Sequence, residues 1–176
     1  VTETVTAILS LGSNLGDRES TLRLAVDAIA TVPGVRVMAV SVLVETPALK
    51  PNGIDRDAPS YLNAVASIST SLDPHELLRA MAAIELAHGR TRDERWGDRT
   101  LDIDIIAFGE LELQTDSLTV PHPRASQRAF VLAPWLDIDP EAVIVGHGRV
   151  AELLAATGET VDIFAAAPLV ASGGKN

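Results

Sequence analysis

Residues 100–108, TLDIDIIAF, constrain this chain more than any other stretch. Apolar and acidic residues alternate from Leu101 to Ile105, which is the period of a β-strand. Leu101, Ile103 and Ile105 fall on one face and need a core. Asp102 and Asp104 fall on the other, roughly 7 Å apart by twice the strand rise. Two ionised carboxylates that close on an otherwise apolar strand repel each other, and something must offset the repulsion. A hard divalent cation, which prefers oxygen ligands, is one candidate, and nearby arginines are another. The third is a solvated strand face with salt bridges to Arg95 or Arg99.

The residues just upstream favour a phosphate site. Arg90, Arg92, Arg95 and Arg99 fall together in a chain of net charge −10 that holds 12 Arg and 2 Lys. Planar guanidinium groups suit bidentate contact with phosphate oxygens. Trp96, one of six aromatics, sits in the same polar loop. There it either packs locally or closes over a flat ligand. A second site-like segment is Val120-Pro121-His122-Pro123-Arg124, followed by Arg128. Prolines on both sides stiffen the backbone of His122. GSNLGD at 12–17 lacks the GK[ST] ending of a P-loop. Gly12 and Gly16 therefore read as backbone turns, with Asn14 bracing a neighbouring loop.

Composition removes several classes. Cysteine is absent, which excludes disulfides and zinc-thiolate sites and fits a reducing, cytoplasmic setting. The acidic balance argues against a general affinity for nucleic acid or anionic membrane. No apolar run reaches 18 residues, and the start reads as a strand rather than a signal peptide. No Ser-His-Asp order supports a hydrolase triad. The length, 176 residues, fits one domain over 1–176, with 170–176 a fraying tail.

Periodicity gives the element order. Strands are expected over 5–11, 35–45, 61–70 and 100–108. Helices are expected over about 18–31, with Asp17 as cap, and from Asp73-Pro74 to about His88. Residues 46–60 read as a loop. Gly109-Glu110 is expected to turn a hairpin into LELQT. A short helix is expected over about 124–134, broken by Pro134, and another over 149–157. The order predicts an α+β fold, a ferredoxin-like βαββαβ sandwich with C-terminal additions, its antiparallel sheet flanked by helices.

Several segments together resemble the 6-hydroxymethyl-7,8-dihydropterin pyrophosphokinase family of folate biosynthesis. They are LGSNLGDR (11–18), ETPAL (45–49), YLNAV (61–65), IELAHGRTRDERWGDRTLDIDII (84–106), and TVPHPR followed by RAF (119–130). The resemblance implies transfer of diphosphate from ATP to the pterin hydroxymethyl group, with release of AMP. It implies two Mg2+ ions on Asp102 and Asp104, and ATP contacts at Glu85, Arg90, Arg92, Arg95, Trp96, Ile105, Thr119, His122 and Arg128. Arg92 and Arg95 would act in catalysis from a closing loop, together with the two aspartates. The pterin would meet Thr46, Pro47, Leu49, Tyr61, Asn63, Trp96, Asp102 and Phe130, with Tyr61 and Phe130 sandwiching the ring. The resemblance also implies a monomer with small-molecule partners only. Ala82, Ser117, Pro123 and Asp98 depart from residues common in the family. The classes left open are a different D-x-D magnesium transferase and a ferredoxin-like regulatory module without catalysis.

Overall fold

The computed structural model describes residues 2–50, 53–55, 57, 60–88 and 100–169. Arg90, Arg92, Arg95, Trp96 and Arg99 lie outside the described residues, as do the tail 170–176 and the side chain of Leu49.

The fold is built on strands whose alternating residues serve two different faces. β1 (Val5–Ser13) is the centre. It pairs antiparallel with β6 (Tyr61–Thr70) on one side and β7 (Asp102–Phe108) on the other. β6 also pairs with β2 (Val35–Val40) and, further along, with β3 (Leu43–Thr46). β12 (Asp162–Phe164) adds a last strand outside β3. With β2 and β3 taken as one broken strand, the sheet runs in the order fourth, first, third, second. That is the expected ferredoxin-like arrangement, with β12 as a C-terminal addition.

One sheet face is almost wholly apolar. Leu9 and Leu11 of β1, Leu62 and Ala64 of β6, and Ile103 and Ile105 of β7 pack on α1 (Arg18–Thr31) and α2 (Pro74–Ala87). Both helices start on side-chain caps. Asp17 accepts from the Ser20 amide at 3.1 Å, and Asp73 forms a reciprocal capping box with Glu76. Leu22, Val26 and Ile29 of α1 and Leu77, Met81 and Ile84 of α2 form the facing stripes. Full burial of each large side chain contributes about 1.5–3 kcal/mol.

The other face is divided. Ile8, Val65 and Ile106 are covered by α3 (Ala129–Ile138) and α4 (Val150–Thr157), through Val131, Leu132, Trp135 and Val150. A small ribbon of β10 (Val143–Ile144) and β11 (Gly148–Arg149) joins the two helices. Ser10, Gly12, Asn63, Thr46, Asp102 and Asp104 occupy the rest of this face.

Four local expectations need correction. The strand expected over 35–45 breaks at Ser41 and Val42. The Ser41 hydroxyl accepts the Val65 amide at 2.9 Å, and the Val42 amide turns to the Asp137 carboxylate at 2.9 Å. Side chains thus replace ladder partners, and β2 and β3 pair separately with β6. The expected loop at 46–60 holds a small ribbon, β4 (Ala48–Lys50) with β5 (Gly53–Asp55). Gly109, at φ 54, does turn the chain after β7. However, β8 (Leu113–Gln114) pairs with β9 (Thr119–Val120) rather than folding back on β7. Pro134 lies inside α3 and does not end it. The helix starts later than expected, after a 3-10 turn at Ala125–Gln127, and runs to Ile138. Pro134 supplies no N–H to the Phe130 carbonyl, and that single lost bond is offset by the burial of Val131, Leu132 and Trp135.

Candidate active site

The polar part of the second face is laid out by strand register. Asp102 pairs with Gly12, and Gly12 pairs with Asn63 across β1. Asn63 in turn pairs with Val44 of β3. One row therefore crosses four strands, with a carboxylate near one end and an amide towards the other. Asp104 pairs with Ser10, one strand period along. Asp102 and Asp104 are each partly buried, while Ile103 and Ile105 are buried on the helix side, as the alternation predicts. Both carboxylates act electrostatically on Arg128, Asp104 more strongly than Asp102. The pair and that guanidinium are therefore close enough to act on one another. Burial lowers the Arg128 pKa from its ordinary value, Asp104 opposes that shift, Arg124 adds to it, and Asp102 again opposes it.

Beside Asp104 lies a cavity of about 300 Å³. Asp104, Ile105, Thr119 and His122 line it together with Leu78 of α2 and Ser117. That volume is at the small end of small-molecule sites. Four residues selected from the sequence thus meet at one cavity. His122 is anchored to β7, its amide donating to the Ile106 carbonyl at 2.8 Å. Its Nδ1 accepts the Arg124 backbone N–H at 3.2 Å. An N–H donor there requires Nδ1 to be unprotonated, so the neutral ring carries its proton on Nε2. Burial, then Arg128 and Arg124, push its pKa down to about 4. His122 is therefore a neutral hydrogen-bond donor at pH 7.

A pH consequence follows from this setting. The unfolded value is 6.5 and the folded value about 4. Between them the unfolded chain binds a proton that the folded chain does not, so stability present above pH 6.5 is lost as pH falls towards 4. Urea unfolding at pH 7 and pH 5 should show this loss in the parent and a smaller one in His122→Gln. An equal loss in both would contradict the depressed pKa.

Glu85 is buried on α2, and its carboxylate accepts the Ile103 amide at 3.1 Å. It therefore steadies β7 between the two aspartates. Phe130 stands in the first turn of α3, with the Arg128 guanidinium 5.5 Å from its ring centre. Tyr61 starts β6, level with Thr46. Asn63 is buried, and its amide nitrogen donates to Thr46 Oγ1 at 3.1 Å. Pro47 follows, exposed, at the end of β3. The carboxylate pair and Arg128 thus lie towards one side of this face, and Thr46, Tyr61 and Asn63 towards the other.

Gly12 differs from the expectation. It lies within β1 and not in a turn. A Cβ there would stand 2.8 Å from Asn63 Oδ1, so the missing side chain leaves room for the amide. Period-two spacing places Gly12 on the site face, but only the cross-strand register reveals its neighbour. Gly16 does sit in the turn, at φ 64.

A carboxylate pair with a cavity beside Asp104 and a buried amide two strands away is a layout that suits an enzyme acting on small molecules. Known proteins make that class specific. Residues 8–140 match the HPPK family, 7,8-dihydro-6-hydroxymethylpterin-pyrophosphokinase. The chain is 44% identical over 141 residues to the 2-amino-4-hydroxy-6-hydroxymethyldihydropteridine pyrophosphokinase of Methylorubrum extorquens, covering 80% of this chain and 87% of that one. It is 44% identical over 148 residues to the enzyme of the same name from Pseudomonas aeruginosa, covering 84% and 89%. The fold is also similar to a crystal structure of wild-type Plasmodium falciparum HPPK-DHPS, with a TM-score of 0.66 at 16% identity. That match covers 88% of this chain but only 42% of the other, and at such identity it speaks for the fold alone. The chain belongs to the HPPK family, and its function is the pyrophosphokinase step of folate synthesis.

Proposed function

We propose that diphosphate transfer from ATP to 6-hydroxymethyl-7,8-dihydropterin proceeds in the cleft between Asp104, His122 and Asn63, and that it depends on Mg2+. The observation carrying this reading is the shared face of Asp102 and Asp104, both close enough to Arg128 to act on its charge. Two carboxylates on one face are hard oxygen donors, and magnesium takes one or two of these and completes its shell with substrate phosphates and water. Among the described residues no group of three or more His, Asp or Glu gathers, so the aspartates stand as a pair. The donor set fits magnesium, with Asp102 and Asp104 holding two ions. Bound there, the metal would neutralise phosphate charge and polarise the phosphoryl group.

The protein's own groups do the positioning. Ile105 and Thr119 line the nucleotide side of the cavity, and Glu85 keeps β7 in place beneath it. His122 donates from Nε2 to a phosphate oxygen without adding a charge. Arg128, spread over Phe130, is directed at the charge that grows on the AMP leaving oxygen. Arg90, Arg92 and Arg95 are further phosphate contacts in this reading, with Arg92 and Arg95 acting in catalysis and Trp96 covering both substrates. On the other side Asn63 reads the polar edge of the pterin, Tyr61 and Phe130 sandwich its ring, and Thr46, Pro47 and Leu49 wall it. The pterin hydroxyl then attacks the β-phosphorus in line, and phosphoryl transfer is mostly positioning and charge neutralisation. A cytoplasmic monomer working on small molecules completes the reading. No helix among the described residues is long and apolar enough to cross a membrane.

Metal removal tests the magnesium claim. Protein stripped with EDTA should release no AMP from ATP and hydroxymethyldihydropterin, and added Mg2+ should restore release. AMP formation at the parent rate in excess EDTA would refute it. His122→Gln, whose amide nitrogen can stand in for Nε2–H, should retain about tenfold more kcat/KM than His122→Asn, a difference of one well-placed hydrogen bond.

A further inference from the structure

Arg18, the first residue of α1, joins three segments. Its Nη1 donates to Glu45 Oε2 at 2.8 Å and to the Ser60 carbonyl at 2.8 Å. Its guanidinium carbon stands 5.8 Å from the ring centre of Phe164. Glu45 immediately precedes Thr46, and Ser60 immediately precedes Tyr61. Thr46 and Tyr61 are themselves the last register pair between β3 and β6. The arginine thus ties the two strands together where their pairing ends, beside the residues read above as the pterin wall. Phe164 belongs to β12, which pairs with β3 through Asp162 and Glu45 and lies beyond the family match at residues 8–140.

We propose that Arg18, backed by Phe164, is a positioning residue that fixes the spacing of Thr46 and Tyr61 and so sets affinity for the pterin. The proposal rests on the pterin reading of this pocket. The physical reason is local. An antiparallel pair is free to splay past its last ladder bond, and Thr46 Oγ1 is the acceptor that orients the Asn63 amide. A cross-link that straddles this last pair, from Glu45 inside the ladder to Ser60 just beyond its end, limits that splay. Phe164 holds the guanidinium from its face, a contact that favours a planar cation. β12 thereby couples a C-terminal segment to the substrate wall.

Steady-state kinetics on the full chain test this, with each substrate varied in turn. Arg18→Met keeps the aliphatic stem and removes both donors. It should raise the KM for hydroxymethyldihydropterin about three- to tenfold, the scale of partly exposed charged hydrogen bonds, and leave the ATP KM within about twofold. Arg18→Lys, still able to donate to both acceptors, should recover most of the loss. Phe164→Leu should shift the same KM by less, and it serves where Arg18→Met is too unstable to assay. An unchanged pterin KM in Arg18→Met, or equal rises for both substrates, would overturn the proposal. Asn63→Ala separates the two levels. If it raises the pterin KM and Arg18→Met does not, the latch alone fails. If Asn63→Ala also has no effect, the pterin reading fails and takes the latch with it.

Discussion

Asp104→Ala should lower kcat by at least about 10³-fold, the scale of losing a metal or a central electrostatic group in phosphoryl transfer. The fold should survive the change. Asp104 is partly buried, and its neighbours Ile103 and Ile105 carry the strand's packing on the opposite face. Circular dichroism and the thermal midpoint should therefore stay close to the parent while AMP release stops. Asp102→Ala should act in the same direction and should also weaken pterin binding, because Asp102 shares its cross-strand row with Gly12 and Asn63. Near-normal turnover in Asp104→Ala would remove the basis of the metal site.

Gly12→Ala should raise the pterin KM at least about tenfold, with little change for ATP. The added Cβ meets Asn63 Oδ1 at 2.8 Å, which real contacts do not sustain, so the amide must turn away. The amide nitrogen then leaves Thr46 Oγ1, its present acceptor. A site built to hydrogen-bond a heterocycle discriminates strongly when one buried polar partner is displaced. Asn63→Ala should cost a similar amount, and the double variant Gly12→Ala/Asn63→Ala little more than either alone, since both act through one amide. Additive losses would mean that Gly12 works by another route.

The two predictions differ in how they are reached. Asp102 and Asp104 are legible from spacing, because period two forces both carboxylates onto one face whatever the sheet around them. The helix caps at Asp17 and Asp73, the strand at β7 and the overall βαββαβ order follow from equally local rules. Gly12 is not legible in this way. Its meaning depends on which residue lies across β1, and pairing register is a property of the folded sheet. The break at Ser41 escapes for a similar reason, since its partners Val65 and Asp137 are distant in sequence. Arg18 gives no sign of its place until Glu45, Ser60 and Phe164 converge on it. Pro134 misleads because burial around α3 outweighs one missing backbone bond. Tyr61, Asn63 and Phe130 taken singly read as ordinary strand and core residues. The register sets Thr46 beside Tyr61 and Gly12 beside Asn63, while the place of Phe130 with them rests on resemblance alone.

The most direct test of diphosphate transfer in this cleft follows the phosphorus. With ATP labelled at the β-phosphate, Mg2+ and hydroxymethyldihydropterin, attack at the β-phosphorus sends the label into the pterin product and leaves AMP unlabelled. That distribution is predicted, together with its loss in Asp104→Ala. Label recovered in ADP, with only the γ-phosphate on the pterin, would contradict the account.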